Sequence, residues 1–225
     1  MSAKRYAAVL AALLLVSDAG AGSFSVAPVR LEVKMPRRAV SVEVQNTGEL
    51  PAQIQVERYR WIADGGGDDQ LQATEDIIAT PPIFTLSPGQ KQIVRVLVVG
   101  NQDPAREGTY RVILQETALD DPPPNVVRAL LRISMPLFIT PPGAKPNLAW
   151  SAERTDERWW LVMENMGNAH AQILEARLES GPKLNATGYL LPGEKRRVAV
   201  DARPSTIVVK QYDQQEQTVQ VRGTP

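Results

Sequence analysis

The stretch NTGELPAQI, Asn46 to Ile54, is written a second time as NMGNAHAQI, Asn165 to Ile173. Asn, Gly, Ala, Gln and Ile stand at the same spacing in both copies. Ahead of the first copy, in AVSVEVQN, Val40, Val42 and Val44 alternate with Ser41, Glu43 and Gln45, which marks a strand with one buried face. After such a strand Asn-x-Gly reads as a turn, because Asn tolerates the left-handed backbone region and Gly enters it freely. Ala-Gln-Ile then opens the next strand with Ile turned inward. A second echo keeps the same order: SPGQKQIVRV from Ser87 and LPGEKRRVAV from Leu191 each place a Pro-Gly turn before a valine-rich strand.

The same period of two runs through most of the chain. AQIQVERYRW continues with Ile54 and Val56; KQIVRVLVV (Lys91 to Val99), TYRVILQE (Thr109 to Glu116) and VVRALLRISMPLFI (Val126 to Ile139) follow, separated by loops rich in Gly, Pro, Asn or Asp. No helical period interrupts them. The duplicated turns and short strands predict an all-β chain of two immunoglobulin-like β-sandwich domains in tandem. The proline-rich TPPGAKPN, Thr140 to Asn147, sets the boundary, giving domains over residues 22–143 and 144–225. Trp159, Trp160 and Val162 are expected to open the second core.

The N-terminus predicts export. Lys4 and Arg5 precede an apolar run from Tyr6 to Val16, and Ala19-Gly20-Ala21 fits a small-x-small cleavage site, so residues 1–21 read as a secretory signal peptide. That run is far short of the about 20 residues of a membrane span, and no later stretch reaches it. There is no cysteine, so no disulfide staples the fold. Lys plus Arg balance Asp plus Glu at 25 each, which argues against nucleic acid or an anionic membrane as the main partner.

Little in the chain points to catalysis. His170 is the one histidine, and it sits in the second copy of the turn where the first has Pro51, so it reads as a solvated turn residue. A zinc site needs three or four Cys, His or carboxylate ligands, and no such cluster is written here. The acidic pairs Asp68-Asp69 and Asp120-Asp121 adjoin Gly65-Gly66-Gly67 and Pro122-Pro123-Pro124 and read as loops. No catalytic residue, metal ligand or cofactor motif is assigned.

APVRLEV near the start, NTG, SPGQKQIVRV, REGTYRVILQE and VVRALLRISMPLFITP, in this order and spacing, resemble the PapD-like periplasmic chaperones of chaperone–usher pilus assembly. Arg106-Glu107 matches the Arg-Glu pair that opens the family signature, and TYRV stands where better-known members carry aromatic and Leu-Asn residues, so the likeness is to the archaic, Csu-like branch. The resemblance implies a periplasmic protein whose partners are pilin subunits and an outer-membrane usher. It implies donor-strand complementation, in which the chaperone lends its seventh strand to a pilin lacking one. Val127, Ala129, Leu131 and Ile133 form one apolar row of that strand, facing away from Arg128, Leu130, Arg132 and Ser134. An apolar edge of this kind is an aggregation hazard unless a partner covers it. The alternatives are a row that is simply core, and a two-domain immunoglobulin-like adhesion or structural protein.

The resemblance also implies a basic pair that holds the subunit's C-terminal carboxylate. Arg30 in PVRLEV matches its arginine, but the lysine is missing, since Ser134 or Pro136 stands at its place. Arg111, mid-strand and facing away from Tyr110, Val112 and Leu114, is the replacement candidate, because a guanidinium suits bidentate capture of a carboxylate. An internal ion pair is the other reading of Arg111, and Arg128, Arg132 and Lys91 are the alternates.

Overall fold

The computed structural model describes residues 23–63, 69–119, 129–179 and 181–223. The segment read as a signal peptide, the acidic loop pairs except for the backbone of Asp69, Val127 and Arg128 lie outside the described residues.

In the first half, β1 (Phe24–Ala27), β2 (Leu31–Lys34), β3 (Ala39–Asn46), β4 (Ala52–Ala63), β5 (Asp69–Ala73), β6 (Ile77–Thr80), β7 (Ile83–Leu86), β8 (Lys91–Val98), β9 (Gly108–Thr117) and β10 (Arg132–Thr140) form two sheets. One runs β1-β3-β8-β6; the other runs β2-β10-β9-β4-β5, with β7 also paired to β4. The alternating row of β3 does face inward, Val42 and Val44 fully and Val40 in part; with Val94 and Val96 of β8 they meet Leu31, Ile54, Val112, Leu114 and Leu137 in a single core.

In the second half, β11 (Leu148–Thr155), β12 (Arg158–Asn165), β13 (Ala171–Leu178), β14 (Gly188–Leu190), β15 (Lys195–Val200), β16 (Thr206–Gln211), β17 (Gln217–Gln220) and β18 (Arg222–Gly223) form sheets ordered β15-β12-β11-β18 and β14-β13-β16-β17. Two immunoglobulin-like sandwiches therefore stand in tandem. The second core is built from Trp150, Leu161, Met163, Ile173, Leu190 and Val209, with Trp159 packed on its margin. Trp160 and Val162 alternate to the other face of β12: Val162 is buried there and Trp160 half-buried, so of the three residues expected to open this core only Trp159 packs against this cluster.

The repeated turn works through a side chain and not through left-handed backbone. Positive φ falls on Gly89 (76°) and Gly193 (75°) of the Pro-Gly echoes, and on neither residue of Asn46-x-Gly48 or Asn165-x-Gly167. Asn46 is buried; its Oδ1 accepts from Gly48 N at 2.9 Å and its Nδ2 donates to Leu50 O at 2.8 Å and Leu86 O at 3.0 Å. Asn165 repeats the pattern with Gly167 N at 3.0 Å, Ala169 O at 2.8 Å and Leu190 O at 3.0 Å. Gly89 N and Gly193 N each donate to the carbonyl of the same Asn at 2.8 Å. The two echoes of each half are two sides of one junction. Gly167 has its own steric reason, for a Cβ there would run into the Lys145 carbonyl.

Candidate functional site

β10 is paired unequally along its two edges. Arg132 to Ile139 pair antiparallel with β9, whereas β2 runs parallel beside Leu137 to Thr140 only. Residues 132–136 therefore have β9 as their one strand neighbour among the described residues, and their other edge offers an open ladder. Along this strand the inward row passes from core to surface. Met135, Leu137 and Ile139 are core, Ile133 packs half-buried against it, Leu131 is half-buried and Ala129 is exposed. The strand expected from Val126 begins at Arg132, so Leu131 and Ala129 precede it, while Val127 lies outside the described residues. Ile133 is thus shared between the two readings of the row, since part of its surface already belongs to the chain's own core.

Arg30 and Arg111 converge between the sandwiches. Arg111 lies on β9 opposite Tyr59 and Pro136, with its guanidinium 3.7 Å from the centre of the Trp61 ring. That is close enough for a strong cation–π contact. Arg30, ahead of β2, donates to Gln172 Oε1 at 2.9 Å, pairs with Glu32, and lies 4.4 Å from the Tyr212 ring. Tyr189 registers both cations. Burial pushes its phenol up from the ordinary value and Glu32 adds to that, while the charges of Arg30 and Arg111 and a hydrogen bond from Arg30 pull the other way. The wall between them is apolar, made of Trp61, Phe138 and Leu191 with Tyr189 against them. Ser134 is exposed and Pro136 is buried opposite Arg111, so the strand carries no cation in the stretch where the resembled family has its lysine. Of the alternates, Lys91 pairs with Glu43 at 2.7 Å on the other sheet, and Arg132 is held by Glu57 at 3.1 Å and Gln115 at 2.9 Å.

His170 is not the solvated turn residue expected from its neighbours. Its ring stacks on Phe138, centroids 3.5 Å apart and planes 9° from parallel, and its Nδ1 lies 2.7 Å from Glu107 Oε1. Glu107 is buried and also accepts from the His170 amide at 2.9 Å and from Thr140 Oγ1 at 2.7 Å. Arg106 donates to the Pro192 carbonyl, and Asn168 Nδ2 donates to Ala105 O at 2.7 Å. The Arg106-Glu107 pair thus fastens the start of β9 to the repeated turn and the Pro-Gly turn of the second sandwich. The first copy gave no hint of this, because Pro51 has no counterpart contact to offer. No group of three metal-ligating side chains occurs among the described residues.

Residues 23–145 match the family described as pili and flagellar-assembly chaperone, PapD N-terminal domain. The chain belongs to this family of pilus-assembly chaperones. It is a chaperone family and not a family of enzymes. Chaperone protein LpfB of Salmonella typhimurium is 29% identical over 141 residues, covering 60% of this chain and 56% of LpfB, so the match spans little over half of that relative. A chain of the CsuC–CsuE chaperone–tip adhesion subunit pre-assembly complex, from the archaic chaperone–usher Csu pili of Acinetobacter baumannii, shares the fold. Its TM-score is 0.74 at 24% identity, over 90% of this chain and all of that one (100%). The complex of the SafA pilin with the SafB chaperone of Salmonella enterica gives 0.72 at 14% identity over 90% of this chain.

Proposed function

We propose that this chaperone acts in the periplasm, captures pilin subunits by donor-strand complementation through β10 and the residues just ahead of it, and passes them to an outer-membrane usher. The observation that carries the reading is the half-open edge of β10, with an apolar row that runs out of the core along Ile133, Leu131 and Ala129. A pilin lacking its last strand exposes an apolar groove and an unpaired edge. The open ladder of residues 132–136 would satisfy that edge, and the row, extended by Val127, would fill the groove. Burying a Leu or Ile side chain contributes about 1.5–3 kcal/mol, which adds to the main-chain hydrogen bonds of the shared ladder. Arg111, helped by Arg30, would hold the subunit's C-terminal carboxylate in the cleft between the sandwiches. Residues 1–21 would direct the chain to the periplasm. Folding of the subunit and strand exchange at the usher would drive release.

The test is co-expression with pilin subunits encoded beside the chain and isolation of a one-to-one complex. A parent chain that retains a subunit through gel filtration supports the reading. A chain that retains none of them, with β10 intact, refutes it, and an adhesion or structural role would replace it.

A further inference from the structure

We infer that Glu116 is a positioning residue that sets the register at which the donor segment leaves the sheet, by holding the Leu131 amide with its carboxylate; this rests on the donor-strand reading above. Glu116 is 1% exposed and continues the inward row of β9 after Tyr110, Val112 and Leu114. Acidic side chains are almost never so buried without a partner. Here Leu131 N donates to Glu116 Oε2 at 3.0 Å.

The neighbouring bonds show what this contact does. Glu116 N donates to Leu131 O at 2.8 Å, one half of a narrow antiparallel pair. The return bond, which a regular ladder would send from Leu131 N to Glu116 O, goes to the Glu116 side chain. Glu116 O instead receives Gln115 Nε2 at 2.8 Å, and Gln115 Oε1 accepts from Arg132 at 2.9 Å. Side chains of two consecutive β9 residues thus take over the ladder at the residue where β10 begins. Among the described residues Leu131 is the last that these side chains hold, and Ala129 stands exposed ahead of it.

Register matters more here than elsewhere in the sheet. A slip of one residue would turn the whole apolar row to the opposite face. The clamp acts on the β9 edge of the strand, so it does not compete with a subunit strand arriving at the open edge. It keeps Leu131 and Ile133 in phase with Met135 before the subunit arrives, which removes an ordering cost from capture.

Three variants separate reach from charge. Glu116→Gln keeps the reach and an acceptor oxygen but loses the charge; Glu116→Asp keeps the charge and falls one methylene short; Glu116→Ala removes both. Amide hydrogen exchange at Leu131 in the free full-length chain is the first readout. We expect the Gln variant to stay within about threefold of the parent, and the Asp and Ala variants to exchange about tenfold faster or more. Retention of a co-expressed pilin subunit is the second readout, with the Gln variant near the parent and the Asp and Ala variants weakened about tenfold. Unchanged Leu131 exchange in all three, or an Asp variant that matches the parent while Gln fails, overturns the clamp. Faster exchange with undiminished subunit retention overturns its role in positioning. Leu131→Asp is the control, because retention of the subunit by that variant refutes the donor-strand reading itself, whatever the exchange rates show.

Discussion

Replacing the turn asparagines tests the duplicated junction, and the two copies should not respond equally. Asn46→Ala removes the acceptor for Gly48 N and the donor to Leu50 O and Leu86 O. Water can reach Leu50, which is 58% exposed, so of the two stranded carbonyls only that of buried Leu86 bears the full penalty. A buried polar group without a partner costs about 1–3 kcal/mol, and each bond that water replaces costs less, so the sum is about 2–4 kcal/mol. In the second sandwich both carbonyls, of Ala169 and Leu190, are buried, and Asn165 Oδ1 also accepts from Asn147 N at 3.1 Å. Asn165→Ala should therefore cost about 3–6 kcal/mol, a large share of the about 5–15 kcal/mol that holds a domain. Asparagine to aspartate is a sharper probe. It keeps the acceptor but sets a carboxylate oxygen against two carbonyls, which holds the new carboxyl above its ordinary range. The native state then binds more protons than the unfolded one, so stability of Asn165→Asp should fall as pH rises from mildly acidic to neutral. Urea unfolding followed by hydrogen exchange in each sandwich measures both effects. If Asn46→Ala costs as much as Asn165→Ala, or either costs under about 0.5 kcal/mol, the side chain is not what closes the junction.

Other outcomes follow from the contact between the sandwiches, the acid limb and the cleft. His170→Ala loses the Phe138 stack and the ring bond to Glu107, about 2 kcal/mol together, and should split unfolding into two transitions; a single transition at the parental midpoint would refute the brace. Asp76 is held below its ordinary value of 3.8: burial alone would raise it, but bonds and charge from Arg60, with Thr74 and Tyr110, outweigh that. The stability it contributes is complete above that value and is lost as pH falls through the lower folded value, so Asp76→Asn should flatten the acid limb of a stability–pH curve. An unchanged slope in that range counts against the pairing. Arg111→Ala should weaken subunit retention more than Arg30→Ala and leave thermal stability near the parent's, whereas Arg30→Ala should also loosen the contact to Gln172. A double-mutant cycle between Arg111 and residues added after the subunit's terminus should show coupling, and coupling near zero would reassign Arg111 to an internal role.

Much of the fold was legible because period two is a local signal: Val40, Val42 and Val44 had to share a face of their strand whatever lay across the core. The echoes located the junctions, but residue propensity misread their mechanism, since Asn46 acts through its amide and the left-handed residues are Gly89 and Gly193. The site was legible only along the strand. The row from Ala129 to Ile133 can be counted from sequence, whereas the unequal edges of β10 depend on where β2 stops. His170 was misjudged because its ring is buried by Phe138 and Glu107, residues 32 and 63 positions away and brought there by the packing of two domains. No local pattern encodes that contact, although Arg106-Glu107 marked one side of it.

The most direct test of the donor-strand claim is Leu131→Asp beside Ala129→Asp, each co-expressed with a pilin subunit encoded beside the chain. Ile133 is the poorer probe, because it already packs against the chain's own core. Ala129 is exposed, so Ala129→Asp should fold with near-parental thermal stability, whereas Leu131→Asp sets a carboxylate opposite buried Glu116 and should lose some stability while remaining folded. Each must force a charge into the subunit's groove, and Leu131→Asp also forfeits about 1.5–3 kcal/mol of apolar burial. The account expects a folded chaperone that elutes without subunit in both cases. A one-to-one complex recovered from either variant at the parent's yield would contradict it.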